Sequence, residues 1–526
     1  MIVCLGLMFA GLSPTTNAAG PSRPNVVIIL ADDMGYSDLS CYGGEIATPN
    51  LDGLAQKGLR FSQFYNTARC WPTRAAILTG YYAQQVRRDS VPGVRSGGQG
   101  IRPEWAPLLP RLLEPAGYRS YHSGKWHVDG KRLAQGFHRS YSLEDHDRHF
   151  APRHHQEDDK PLPAVKPGSG YYSSTAIADH AVRCLKEHAK EHGEKPFFSY
   201  VAFTAPHFPL HAPAEDIARY RETYRKGWEE WRQQRFNRLR ELKLFHASLP
   251  SIERDVGPPY AYPEAIRKLG PGEINRPRIW TDLNPEQREF QAAKMAVHAA
   301  MIDRMDREIG RIIDQLRGMN ALDNTLILFL SDNGATAEIM VRGDGHDQNS
   351  SPGSGATYLS LGPGWSSVSN SPFRRHKTWV HEGGIATPLI AHWPRGITGP
   401  GEIRTTPGHV IDLVPTILEA ARVVATREGK DQTVPKRPGK SLLPAFVREV
   451  DVPREELWWL HEDNRALRRG DWKLVAAAKK PWELYDLKAD RAETRDLAKE
   501  QPERVREMAA HWERLWKQYA DLARKD

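Results

Sequence analysis

Cys70, Pro72 and Arg74 stand at alternate positions in Cys70-Trp-Pro-Thr-Arg74, directly before Ala75-Ala-Ile-Leu-Thr-Gly80. Proline suits the first turn of a helix, so this spacing predicts a helix that starts at Cys70. A helix N-terminus offers unpaired N–H groups and the positive end of the dipole, a setting that favours an anion. Arg74, one turn further on, adds a fixed cation with bidentate geometry. A cysteine so placed is a candidate nucleophile; without context it is equally a buried structural thiol.

Further chemistry sits in short polar clusters: Asp32-Asp33, Lys125 with His127, His207, Asp332-Asn333 and Lys377. Asp32, Asp33, Asp332 and the side-chain carbonyl of Asn333 form a hard oxygen set, the donor type of Ca²⁺ or Mg²⁺ rather than zinc. Each residue alone has a plainer reading: an acidic turn, a surface lysine, a loop histidine. Their joint pattern is what points to a site. His122 and His211 are read as structural, with His211 a candidate for the substrate side.

These clusters follow strand-like segments. Asn25–Leu30, Tyr118–His122, Phe197–Phe203 and Thr325–Leu330 run directly into them, and three of the four are continuous apolar runs. Such runs suit strands buried on both faces of a mostly parallel sheet, whose carboxyl ends are where open α/β sheets gather their sites. Helices fall between them, most clearly at Met295–Leu316, where Ile302, Met305, Ile309, Ile312 and Leu316 recur at helical spacing. A large α/β domain over residues 20–423 is expected. The polar, proline-containing stretch Val424–Gly439 precedes strand-like Leu457–Leu460, Trp472–Val475 and Trp482–Tyr485, then an amphipathic helix with Val505, Met508, Trp512, Leu515 and Tyr519. These predict a smaller α+β domain over 424–526, a small antiparallel sheet packed on a terminal helix.

The chain has 526 residues with 73 Lys+Arg against 65 Asp+Glu, a formal +8. That excess is compatible with an anionic substrate and falls short of the concentrated basic stripe of a nucleic-acid binder. Arg219–Arg240 is interleaved with glutamates and reads as a solvated helix. No apolar run is long enough to span a membrane, and four cysteines make no disulfide scaffold. Residues 1–19 carry no charge, run apolar through Leu12 and end in small residues at Asn17-Ala-Ala19. This resembles a secretory signal lacking its basic start, and predicts export to the periplasm or the extracellular space.

Cys70-x-Pro72-x-Arg74 with Ala75–Gly80 resembles the signature of type I sulfatases. Asn25–Gly35, Thr48–Asp52, Gly124–His127, Ala205–His207, Ser331–Gly334, Lys377 with Glu382–Gly384, His409–Thr416 and Gly470–Leu474 extend the resemblance, most closely to bacterial arylsulfatases of the alkaline phosphatase superfamily. Thr73 departs from the commoner Ser. The resemblance implies an alkaline-phosphatase-like α/β fold, with a large mixed, mostly parallel sheet flanked by helices, and hydrolysis of sulfate monoesters. It implies that Cys70 is oxidised to formylglycine (3-oxoalanine) by a formylglycine-generating or anaerobic sulfatase-maturating enzyme. It implies one Ca²⁺ held by Asp32, Asp33, Asp332, Asn333 and the modified residue 70. One hydroxyl of the hydrated formylglycine would attack sulfur, with Asp332 taking its proton, and the second would release sulfate, with His127 as base. Arg74 and His127 would hold the diol. Lys125, His207 and Lys377 would bind the sulfate, and His207 and Lys377 would protonate the leaving alcohol.

Two rival readings stand beside this one. A phosphoesterase or phosphonate hydrolase of the same superfamily would be expected to carry His in place of Asn333. A binding protein that keeps the fold without activity would be expected to lack one of these residues. The alcohol side of the substrate, aromatic or sulfated carbohydrate, is expected to be shaped by the insertion Ala214–Pro285 and by the Gly/Ser-rich, flexible loop Ala335–Trp365, which carries Asp344 and His346.

Overall fold

The computed structural model describes residues 23–424 and 434–525. The expected signal segment 1–19 and the middle of the polar stretch 424–439 lie outside the described residues.

The strands in chain order are β1 (Asn25–Ala31), β2 (Leu59–Tyr65), β3 (Arg119–Lys125), β4 (Arg139–Leu143), β5 (His155–Glu157), β6 (Lys160–Pro161), β7 (Phe197–Ala202), β8 (Thr325–Ser331), β9 (Ala386–His392), β10 (Ile403–Arg404) and β11 (Gly408–His409). They form one mixed sheet in the order β10-β2-β9-β8-β1-β7-β3-β4-β5-β6, with β11 also on β2. Its centre, β8-β1-β7-β3-β4, is parallel throughout. The four strands expected from the sequence are therefore neighbours, and their carboxyl ends share one edge. β1 shows why its run is unbroken: Val27 and Ile29 enter the core on one face, Val26, Ile28 and Leu30 that on the other.

The predicted helix at Met295–Leu316 runs from Pro285 to Gly318. It starts earlier than its apolar stripe because Asn284 caps it, accepting from the Gln287 N–H while the Gln287 side chain bonds back. The stripe from Ile302 to Leu316 is buried. The Arg219–Arg240 segment corrects an expectation. Its helix, Trp228–Glu241, buries Arg232 and Arg235, and Arg235 pairs with Asp38 and Glu45 at 2.7 Å each.

The C-terminal sheet is antiparallel, β12 (Leu457–His461), β13 (Asn464–Arg469), β14 (Trp472–Ala476) and β15 (Glu483–Asp486) in sequence order. β13 was not expected, because Asn-Arg-Ala-Leu-Arg-Arg shows little apolar surface; Arg468 nonetheless turns inward and donates to Tyr65 Oη at 2.8 Å. The helix Pro502–Ala523 packs on this sheet, with Trp512 stacked on Trp458 at 5.6 Å, a contact worth about 0.5–1.5 kcal/mol beyond burial. On β14, buried Lys473 reaches Glu382 at 2.9 Å and Glu493 at 2.7 Å, tying this sheet to the segment that follows Lys377. No helix among the described residues is long and apolar enough to cross a membrane.

Candidate active site

The expected residues converge on the carboxyl edge of the parallel strands. Asp32 and Asp33 follow β1, Lys125 ends β3, His207 follows β7, and Asp332 and Asn333 follow β8. Gly124 lets β3 close against β7: at φ 114°, a Cβ there would lie 2.0 Å from the Ala202 carbonyl oxygen. Cys70 opens the helix Cys70–Thr79, with Pro72 in its first turn as the spacing predicts, and Gly80 stops it in the left-handed conformation.

Three buried carboxylates are interleaved with three buried cations. Lys125 Nζ reaches Asp32 Oδ2 at 2.5 Å, Lys377 Nζ reaches Asp33 Oδ1 at 2.8 Å, and Arg74 grips Asp332 Oδ2 through Nε at 3.0 Å and Nη2 at 2.7 Å. Arg74 also donates to the Lys125 carbonyl at 3.1 Å and lies 3.6 Å from Asp32. Burial alone would raise the Asp32 carboxyl, but Lys125, Arg74 and Lys377 outweigh it and hold it low. Asp332 goes up, through burial and then the adjacent Asp32 charge. Three positive groups beside three acids suit a site that takes up an anion and a cation together.

Two acceptors in this web have no donor. Asn333 Nδ2 donates to Asp33 Oδ1 at 2.6 Å, which leaves its own Oδ1 buried and unpartnered; Asp32 Oδ1 is likewise unpartnered. Buried oxygens without donors are what a hard cation satisfies. Ligand atoms of Asp32, Asp33 and His207 lie within 4.8 Å of one another, so these residues could hold a metal ion. Among the ligands expected from the resemblance, Asp332 lies alongside, its Oδ1 accepting from the Asp33 N–H at 3.3 Å. The oxygen set fits the ion type expected from the sequence.

Cys70 is 3% exposed. Burial pushes its thiol pKa up, while Lys125 and Lys377 pull it down. Thr73 is fully buried, and its hydroxyl accepts from the Thr67 N–H at 3.1 Å and meets the Thr67 hydroxyl at 2.7 Å. The hydroxyl at this position, which Thr and Ser share, therefore fixes the loop that leads into the helix.

His207 Nδ1 meets the Phe208 carbonyl at 2.5 Å, so Nδ1 carries the hydrogen and neutral Nε2 is bare, 3.8 Å from Asp33 Oδ2. His127 presents a buried, unpartnered Nδ1. Burial, then Lys125, holds both rings well below the usual histidine range. Asp33, Ala68, His127 and Thr378 all adopt positive φ, between 53° and 86°. Each such residue costs on the order of 1–3 kcal/mol, and their gathering around Cys70 and Lys377 marks a site whose geometry is imposed by its surroundings.

Sequence reasoning missed three residues here. Glu338 accepts from Lys377 at 3.2 Å and from Arg69 at 3.1 Å. It lies in the loop expected to be flexible, yet Ala335–Met340 is buried, because Glu338 anchors it to these two cations. Arg69, which caps the Cys70 helix, also stacks on Trp71 at 5.1 Å. His146 stands beside His127 and His207, with ring centroids 4.7 and 5.1 Å away. The available signal was positional: Glu144-Asp-His-Asp147 follows β4 as the other clusters follow their strands. Of the two histidines read as structural, His122 bonds Ser140 at 2.9 Å inside β3, and His211 donates to the Thr357 carbonyl at 2.7 Å.

A cavity of about 1340 Å³ lies against the loops that carry His146 and His207, lined among others by Asp147, Phe150, Tyr172, Pro209, His211 and Tyr358. The Ala335–Trp365 loop contributes Gly343–Gly345, Ser351, Pro352 and Ser354–Tyr358 to its lining, and the Ala214–Pro285 insertion contributes Ala214, Glu215 and Ile217.

The family model for Sulfatase matches residues 24–423. The chain is 34% identical over 460 residues to an arylsulfatase of Klebsiella aerogenes, covering 80% of this chain and 91% of that one. It is 32% identical over 543 residues to an uncharacterised sulfatase of Schizosaccharomyces pombe, covering 94% and 93%. Among solved structures, Ps i-CgsB in complex with k-i-k-neocarrahexaose matches with a TM-score of 0.66 at 23% identity, covering 94% of this chain and 93% of that one. That likeness is one of fold, and the alkaline-phosphatase-like fold expected from the sequence is the one found.

Proposed function

The chain belongs to the sulfatase family and is a sulfuric ester hydrolase, and from that premise we propose that it cleaves sulfate monoesters with formylglycine at position 70 and one Ca²⁺. The observation that supports this reading is the pair of donor-less oxygens, Asp32 Oδ1 and Asn333 Oδ1, among three buried acids and three buried cations.

Asp32, Asp33, Asp332 and Asn333 would hold Ca²⁺, which supplies charge neutralisation for the ester and lowers the pKa of a hydroxyl bound to it. Hydrated formylglycine supplies an oxygen nucleophile with a second hydroxyl for release. The remaining work falls to the side chains present. Lys125 and Lys377 give the sulfate oxygens two ammonium partners, and the low-dielectric surroundings strengthen both contacts. Lys377, kept protonated by Asp33 and Glu338 despite its burial, has a proton to hand to the leaving alcohol. His207, with its hydrogen on Nδ1, presents only an acceptor at Nε2 to the same region, so the proton for the leaving alcohol falls to Lys377. Arg74 fixes Asp332, the acceptor of the nucleophile's proton, and His127 offers an unpartnered nitrogen as the later base. Asn333 gives the metal only oxygen, which favours sulfur over phosphorus esters within this superfamily.

The cavity beside His207 would receive the alcohol half of the ester. Its size exceeds what an aryl group alone would fill, which favours a sulfated carbohydrate, and the ligand of Ps i-CgsB is named as a hexaose. We assign the catalytic unit to residues 20–423, with 424–526 as its C-terminal buttress and 1–19 as an export signal to the periplasm or beyond. A maturating enzyme acting on Cys70 is the required partner.

Trypsin cuts after Arg69 and Arg74, so Cys70–Arg74 is released as its own peptide. In protein from the native host its mass should show an aldehyde in place of the thiol, with sulfate released from 4-nitrophenyl sulfate. An unmodified thiol in every copy would refute the proposed mechanism.

A further inference from the structure

The helix Trp228–Glu241 buries two arginines, and only one of them is neutralised. Arg235 has Asp38 and Glu45, whereas Arg232, 4% exposed, has no carboxylate within 4 Å among the described residues. Its guanidinium donates through Nη1 to the Pro250 carbonyl at 2.5 Å and through Nη2 to the Pro372 carbonyl at 3.4 Å, and its Nε is buried with no acceptor. Two neutral carbonyls leave a whole positive charge without a counterion, the costly form of burial. Burial, then Arg254, brings its pKa down to about 10 against the pull of Glu253, so it stays charged at neutral pH.

Arg232 borders a cavity of about 20 Å³ together with Glu253, Arg374, Arg375 and His376. Three guanidiniums thus share this wall with one carboxylate. Glu253 Oε1 accepts from Arg374 at 2.9 Å and from Arg375 at 3.0 Å, and is thereby taken. Arg374 also has Tyr485, the Glu493 carbonyl and, 3.7 Å away, Glu483. Arg375 Nε, like that of Arg232, is buried and unpartnered. His376 Nδ1 meets Ser366 Oγ at 2.9 Å, and burial brings the ring down to about 3, so it adds no charge at neutral pH. The cavity has room for about one water-sized particle, too little for a tetrahedral oxyanion.

We propose that this cavity binds one small monovalent anion of chloride size between Arg232 and Arg375, and that the bound ion braces the segment leading to Lys377. Arg374, Arg375 and His376 run directly into that lysine, and the Arg375 carbonyl accepts from Asn370, which also holds the Ala335 backbone. One negative charge would serve two stranded guanidiniums and join the helix Trp228–Glu241 to this run. The anion site stands apart from the sulfate-binding cations and holds whatever ester the enzyme takes.

The full-length protein is dialysed free of halide into sodium gluconate, and chloride is titrated in at constant ionic strength. Tm should rise saturably, by about 3 °C at a hundredfold excess over Kd. Crystals grown in bromide should show an anomalous peak between Arg232 and Arg375. Arg232→Met, which removes the stranded charge, should lose the chloride dependence of Tm. If that variant does not fold, Arg375→Gln should shift the chloride midpoint upward by about tenfold, the loss of one charged hydrogen bond. In the matured enzyme, KM for 4-nitrophenyl sulfate should fall with the same chloride midpoint as Tm; competition at the sulfate pocket would raise it instead. Equal Tm in chloride and gluconate, no bromide peak, or chloride dependence undiminished in the folded variants would overturn the anion site, and a KM that does not fall would overturn the bracing of Lys377. Because Tm and bromide binding need no turnover, these results stand even if the protein cleaves no sulfate ester.

Discussion

Arg74 and Asp332 form a buried ion pair in which one guanidinium grips one carboxylate oxygen twice, at 3.0 and 2.7 Å. Both side chains are wholly shielded from solvent. The second Asp332 oxygen is thereby left to face Asp33, on the side where a metal ion would sit. The arginine of the Cys70 helix therefore aims at an acid of the proposed metal site, and this ion pair locks the helix to the end of β8.

Arg74→Met should destabilise the protein by about 3–5 kcal/mol, because it leaves Asp332 as an uncompensated buried acid. Arg74→Lys should recover part of that loss and little activity, since an ammonium cannot make the double grip. Urea unfolding of the purified variants, with sulfate release measured alongside, checks both.

Glu338→Gln should cost stability in a pH-dependent way. Burial would raise the Glu338 carboxyl, but Lys377 and Arg69 bring it from the ordinary 4.5 down to about 2. Because the folded pKa is depressed, this contribution is fully present above about pH 4.5 and is lost as pH falls through about 2. At ~1.4 kcal/mol per tenfold change in proton affinity it amounts to about 3 kcal/mol. The stability gap between wild type and Glu338→Gln should be widest near neutral pH and narrow steadily in acid. A constant gap down to the acid limit would refute the pairing.

Chelator treatment should lower Tm, and Ca²⁺ should restore it more effectively than Zn²⁺, as an oxygen donor set requires. At a hundredfold excess over Kd the gain is about 2.7 kcal/mol. Asp33→Asn should weaken Ca²⁺ binding at least tenfold in a calorimetric titration. Preference for zinc would assign the metal site to His207 and a mixed donor set instead.

Thr73→Val should lower stability by about 1–3 kcal/mol, because the Thr67 N–H and hydroxyl lose a buried partner. Thr73→Ser keeps the oxygen and should stay close to wild type. Thermal melts of the two variants decide this.

The strands that carry the site were legible in the sequence because β1, β7 and β8 are buried on both faces and so leave unbroken apolar runs. Asp32, Asp33, His207, Asp332 and Asn333 could be read from their positions at the ends of such runs, and Lys125 from its place in Gly124-Lys-Trp-His127. β4 could not be read that way: Arg-Ser-Tyr-Ser-Leu alternates polar and apolar residues, so His146 at its end carried no strand signal. Glu338 sits in a stretch whose later residues are rich in glycine and serine, and composition averaged over the loop hid its buried start. Arg235 read as a surface charge because its partners, Asp38 and Glu45, are distant along the chain, and the buried pairing of Lys473 with Glu382 and Glu493 was not legible for the same reason.

The burial of the Cys70 segment also sets an order of events. Cys70, Pro72, Thr73 and Arg74 are all enclosed in the folded chain, with the cysteine 3% exposed. An enzyme that recognises these side chains and oxidises the thiol has no access to them once β1, β3 and β8 have closed around the helix. The proposed conversion of Cys70 would therefore come first and packing second, while the segment is still an extended, readable stretch of new chain. Protein that folds in a cell lacking the modifying enzyme would be expected to stay inactive even if that enzyme were supplied later.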